Sequence, residues 1–165
     1  MKTLAPSLLT QIAATNEGDP WYGSSRAVLL EGITAKEAAA HPIPGSHSIW
    51  QLVLHMTSWT REVERRLAGH APAEPEDGDW PAVGRPTAAR WREACDALAE
   101  ANAALLEALS ALPVAQWDAP VGGLRDPALG TGTTIGGMLI GLAQHDAYHN
   151  GQLALLRHAL REFRP

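Results

Sequence analysis

The sequence predicts an all-α chain folded as an up-down four-helix bundle, and three observations predict it. Apolar residues recur at steps of three and four through four long segments, and no segment alternates apolar and polar residues as a half-buried strand would. The third observation is size: 165 residues suffice for one sizeable core, and chains divide into domains only past roughly 250 residues. Residues 1–165 are therefore read as one domain.

Leu4, Leu8 and Ile12 make the first apolar stripe. After Gly18-Asp19-Pro20 the pattern resumes at Ser24-Ser25 and runs to about Leu30, which reads as one broken helix over 3–15 and 24–31. Thr34 and Glu37 have capping-box spacing and start a short helical turn before His41-Pro42-Ile43-Pro44-Gly45. Ser48 and Gln51 repeat that spacing at the start of the second long helix, expected over 47–68, with the stripe Ile49, Leu52, Met56, Trp59, Val63 and Leu67. Residues 70–86 hold four prolines and four acidic residues, and read as a solvated acidic loop. Thr87 caps the third helix, over 87–112, whose stripe includes Trp91, Cys95, Leu98, Leu105 and Leu109. With three prolines and four glycines, 113–134 is too rich in breakers for a plain connection and reads as an ordered loop or a small hairpin. The fourth helix, over 133–161, carries Ile135, Met138, Leu142, His145, His149, Leu153, Leu156 and Leu160.

Composition removes several function classes. The net charge is -5 and the basic residues are scattered, so neither nucleic acid nor an anionic membrane is an expected partner. No run of 18 apolar residues could span a bilayer, and Ser7, Thr10 and Gln11 interrupt what a signal peptide would need, so the expected location is the cytoplasm. Cys95 is the single cysteine, which excludes an internal disulfide and any multi-cysteine metal site. Its place on the core stripe marks it as an inert, structural thiol. With only Lys2 and Lys36 as lysines, no Gly-Lys-Ser/Thr phosphate loop exists.

The two histidines inside the last apolar stripe carry the chemistry. Four residues apart on a helix, His145 and His149 lie about 40° from each other around the axis and about 6 Å along it, so both imidazoles can reach one ion. The alternative is a pair of hydrogen-bonded core histidines. Burying imidazoles among Leu, Ile and Met is costly unless their nitrogens find partners, and a shared metal supplies one. His55, three after Leu52 and four before Trp59, shares the inward face of the second helix and is the best third ligand. His41, His47, His70 and His158 lie in loops, at a helix start or off the stripe, and are read as structural or exposed.

Competing motifs fall short. His145-Asp146-Ala147-Tyr148-His149 differs from the zinc-peptidase pattern His-Glu-x-x-His by an acid one methylene shorter, and Asp146 is expected instead at a rim or on the surface. No Glu-x-x-His pair supports a di-iron bundle, no Gly-x-Ser-x-Gly elbow supports a serine hydrolase, and Gly130-Thr131-Gly132 lacks the strand and third glycine of a dinucleotide loop.

The stretch Ser48-Ile49-Trp50-Gln51-Leu52-Val53-Leu54-His55, with Trp59 after it, and the stretch His145-Asp146-Ala147-Tyr148-His149-Asn150-Gly151-Gln152 resemble the DinB/YfiT-like metal-dependent enzyme family over about residues 21–160. The resemblance implies a four-helix bundle with His55, His145 and His149 holding one divalent ion, usually nickel or zinc with iron as a further choice, and water in the open positions. Gln152 is a candidate partner for an imidazole nitrogen. Some relatives resemble thiol S-transferases or isomerases that use bacillithiol, mycothiol or glutathione, so the partner the resemblance implies is a small-molecule substrate, a low-molecular-weight thiol among them. Trp21, Trp59 and Tyr148 are then expected to border an apolar pocket above the metal. Metal-dependent transfer or hydrolysis is the leading reading. Its rivals are a metal-binding stress or interaction protein without turnover, and a zinc peptidase-like hydrolase using Asp146. A homodimer is among the expected states.

Overall fold

The computed structural model describes residues 4–122 and 126–162. The regular structure of the described chain is mainly helical: α1 (Leu4–Asn16), α2 (Arg26–Leu30), α3 (Ala35–Ala38), α4 (Ile49–Leu67), α5 (Ala88–Ala111) and α6 (Ile135–Glu162), with a 3-10 turn at Val114–Asp118. Two short strands, β1 (Pro120–Val121) and β2 (Thr133–Thr134), pair antiparallel with Pro120 opposite Thr134, so the breaker-rich segment before α6 is a small hairpin. Residues 123–125 of that segment lie outside the described residues. No helix of the described chain is long and apolar enough to cross a membrane.

Local chemistry fixes the helix ends. Ser48 Oγ accepts from the Gln51 amide at 3.2 Å while Gln51 Oε1 accepts from the Ser48 amide at 2.8 Å, a reciprocal box that satisfies donors the first turn of α4 would otherwise leave bare. Thr34 and Glu37 build the same box on α3. At the other end of α4, Gly69 adopts φ +90°, which lets its amide reach the Arg66 carbonyl and the His70 amide reach the Arg65 carbonyl. This is the Schellman arrangement, and a side chain at that φ would be strained.

The helix read as broken over 3–15 and 24–31 is two helices, and the gap between them spans 17–25. Pro20 has no amide to donate, and the turn closed by the Gly23 amide on the Pro20 carbonyl reverses the chain, so α2 packs back on α6.

The longest packed interface is α4 on α5; α1 packs on α5 and α6, and α4 on α6. Two apolar clusters result. One joins Trp50, Leu52, Val53 and Met56 of α4 to Trp91 and Leu98 of α5 and to Leu153 and Leu156 of α6. The other joins Ile12, Val63, Leu105, Leu109, Leu139 and Leu142, closed by Trp117 and the hairpin residue Val121. Along α5, Asn102 separates Leu98 from Leu105; along α6, 145–150 separates Leu142 from Leu153; along the first two helices, Thr15 and Arg26 separate Ile12 from Leu29. A belt of buried polar side chains therefore crosses the waist of the bundle, and the functional candidates lie in it.

Candidate metal centre

Helix α4 brings His55 to the belt and α6 brings His145 and His149, all three imidazoles turned toward one point. His55 and His149 are buried, and the side chain of His145 is 29% exposed. Its Nε2 stands 2.9 Å from Nε2 of His55 and 3.0 Å from Nε2 of His149. The ring contacts are tilted or edge-on, so the nitrogens converge while the ring faces do not stack.

The outer nitrogens set the tautomers. Nδ1 of His55 lies 2.7 Å from the main-chain oxygen of Asp79, which can only accept, so that nitrogen carries the hydrogen and Nε2 keeps its lone pair. Nδ1 of His149 does the same toward Gln152 Oε1 at 2.6 Å. Burial lowers the pKa of both rings, that of His149 to about 4, against the opposing pull of their oxygen acceptors. At neutral pH both rings are uncharged, and their lone pairs meet at the third ring. Two lone pairs converging on a third imidazole nitrogen suit a shared cation. With metal–nitrogen bonds of about 2.1 Å, ligand nitrogens are spaced about 3–3.5 Å apart, so the residues present fit a first-row divalent ion.

The loop read as merely acidic and solvated contributes directly. Asp79 holds His55 through its carbonyl and accepts from Trp59 Nε1 at 2.6 Å through its carboxylate. Trp80 stacks on the His55 ring at 4.0 Å, with His47 stacked on its other face at 3.6 Å. Neither Asp79 nor His47 stood out in the sequence. The one available signal was Trp80 itself, the single aromatic ring of 71–86, a segment rich in acids, prolines and small residues.

A cavity of about 600 Å³ opens beside the three histidines. Its walls come from α4 (Trp59, Val63), α6 (Met138, Leu142) and the hairpin connection (Leu129), with Tyr148 at the edge. Trp59 and Tyr148 thus border it, and Trp21 does not. Trp21 is 94% exposed in the turn after Pro20, and of the two neighbouring rings only Tyr22, itself 41% exposed, touches α6, its hydroxyl accepting from Asn150 Nδ2 at 3.3 Å.

Asp146 also departs from its expected place at a rim. It is only 2% exposed, its Oδ2 3.0 Å from Arg26 of α2, because α1 and α2 cover the flank of α6 that a turn of about 100° from His145 reaches. Burial alone would raise its carboxyl pKa, but the Arg26 charge and the neighbouring His145 outweigh this and hold it below its ordinary value. Asp146 is thus paired with Arg26 on that flank and does not line the cavity beside the histidines.

Against known proteins, the family model of the DinB superfamily matches residues 26–153, a span that contains all three histidines. The chain belongs to the DinB superfamily. No curated protein and no solved structure matches it. The helical fold and a three-histidine cluster able to hold a metal ion agree with that membership.

Proposed function

We propose that this DinB-superfamily chain binds one divalent metal ion, nickel or zinc before iron, through His55, His145 and His149, and transfers or hydrolyses groups on small molecules, thiols first among them. The observation that carries the reading is the meeting of three imidazole Nε2 atoms beside an apolar cavity, with two of the rings fixed as lone-pair donors by Asp79 and Gln152. When bound, a divalent cation lowers the pKa of a water or thiol and supplies a nucleophile near neutral pH. The residues around it do the rest. Trp80 covers one face of His55 and limits water there, while Trp59, Val63, Met138 and Leu142 offer an apolar body of substrate a place to lie. His145, partly exposed, stands at the open side where a substrate would approach.

Cys95 has no part in this chemistry: burial pushes its thiol up to about 11, and it lies away from the histidines on α5. The deciding experiment is elemental analysis of protein purified without an affinity tag, wild type against His149→Ala. About one equivalent of metal in the wild type and little in the variant is expected. Equal contents would remove the reading. Activity is then sought with bacillithiol, mycothiol and glutathione, each paired with an electrophilic acceptor. Turnover lost on His→Ala change at any of the three histidines and kept in Cys95→Ala supports thiol transfer; metal uptake with no metal-dependent rate favours a binding protein without turnover.

A further inference from the structure

We propose that Arg26 and Asp146 form a buried clamp that positions His145, with Asp146 Oδ1 as acceptor for the Nδ1–H of that ring; this rests on the metal-binding reading. A cation shared by three imidazoles through Nε2 requires a lone pair on each of those atoms, so each ring carries its hydrogen on Nδ1 and needs an acceptor there. His55 has the Asp79 carbonyl and His149 has Gln152. For His145, Nδ1 is buried with no hydrogen-bond partner among the described residues, and Asp146 Oδ1, 3.7 Å away, is buried and likewise without one. These are a donor and an acceptor of matching chemistry, separated by little more than the length of the bond they would make.

The other half of the carboxylate is anchored. Arg26 NH2 lies 3.0 Å from Asp146 Oδ2 as an ion pair without an aligned hydrogen bond, while Arg26 Nε donates to Asn150 Oδ1 at 3.2 Å and Arg26 NH1 donates to Asn16 Oδ1 at 2.7 Å. Asn150 in turn donates to the Thr15 carbonyl at 3.0 Å. Helices α1, α2 and α6 thus converge on one guanidinium, which is itself 2% exposed. With Oδ2 paired from behind, Oδ1 is the oxygen left facing His145, and a rotation of the imidazole that brings Nδ1 closer by about 0.5–1 Å closes the contact. Arg26 and Asp146 are positioning residues in this arrangement: neither reaches the cavity beside the metal centre, and both act through His145.

A structural role for the ion pair, tying α2 to α6, would affect folding and leave the affinity of the folded protein for metal unchanged. The test therefore reads zinc affinity by competition with a chromophoric chelator, together with the histidine side-chain 1H–15N spectrum of the zinc-loaded protein. In Arg26→Met/Asp146→Leu, which keeps the volume and removes both charges, zinc affinity should fall by about 10–100-fold while the bundle stays folded. The hydrogen-bonded Nδ1 proton of His145 should disappear, and those of His55 and His149 should persist. Affinity within twofold of wild type in the folded variant would overturn the clamp. Should that variant fail to fold, Asp146→Asn carries the same spectral test: the His145 Nδ1 proton must move upfield when the carboxylate charge is lost, and an unmoved signal overturns the proposal. Failure of wild type to take up zinc at all sinks the metal-binding reading itself, whereas uptake with unchanged variant affinity sinks only the clamp.

Discussion

His149 and His55 carry opposite information about pH from most buried groups with partners. Both titrate near 6.5 when unfolded, and burial lowers them in the fold, His149 to about 4. As pH falls through this window the unfolded chain takes up protons that the folded chain refuses, so stability is present above about pH 6.5 and drains away toward about pH 4. Chelator-treated protein should therefore melt at progressively lower temperature between those limits, and His149→Gln should flatten the slope; parallel slopes would show that His149 is not the group responsible. Below the window Glu62 takes over. Burial would raise its carboxyl, but Arg65, the Ala73 amide and Arg66 more than compensate, so its stabilising share is present above the ordinary carboxylate range and lost as pH falls through its lowered value. Cys95 offers a second check at the same scale. With its thiol at about 11, the folded protein should react with a disulfide reagent at pH 8 about a hundredfold more slowly than the denatured chain, whose thiol titrates near 8.5. Comparable rates would mean that the α5 face carrying Cys95 opens readily.

At the scale of elements, the capping boxes are the most local devices and the most easily tested. Ser48→Ala removes the acceptor for the Gln51 amide and should cost about 1 kcal/mol in a denaturant titration. Trp50→Ala, two residues on, empties a site 2% exposed and should cost about 3–5 kcal/mol; a smaller loss would mean that the cluster collapses into the space. These elements were legible in the sequence because their signals are periodic or lie at fixed offsets. The 3.6-residue repeat gave α4, α5 and α6 to within two residues at either end, and the Ser48–Gln51 and Thr34–Glu37 spacings are the boxes observed. The three histidines could be read for the same reason, since residues on one apolar stripe must face one interior. The rest had no period to read. Asp79 acts through a main-chain oxygen that any residue could supply, and Trp80 reaches His55 only because the loop folds back on α4. Asp146 was misplaced because turning away from His145 leads to solvent only on an uncovered helix, and the covering by α2 depends on a chain reversal near Pro20 whose direction the sequence does not state.

At the scale of the whole molecule, the two apolar clusters leave most of the burial to α4 packed on α5 and to the ends of α6. The hydrocarbon alone is permissive about how α6 seats, since Leu142, Leu153 and Leu156 would find apolar neighbours after a slide along the axis. The polar belt removes that freedom. A slip of one turn, about 5.4 Å, would carry His149 toward the place of Leu153, against Trp50 and Met56, and would strip Arg26 of both Asp146 and Asn150. The belt thus works as an index mark, a single set of matched donors and acceptors that engages at one seating of the last helix and at no neighbouring one. Exchanging Arg26, Asn102, Asp146 and Asn150 together for apolar residues of similar size should keep or raise the melting temperature, as replacing buried ion pairs often does. The same variant should lose uniqueness, seen as broadened or doubled amide resonances; one sharp set of signals would show that shape complementarity alone holds α6 in register.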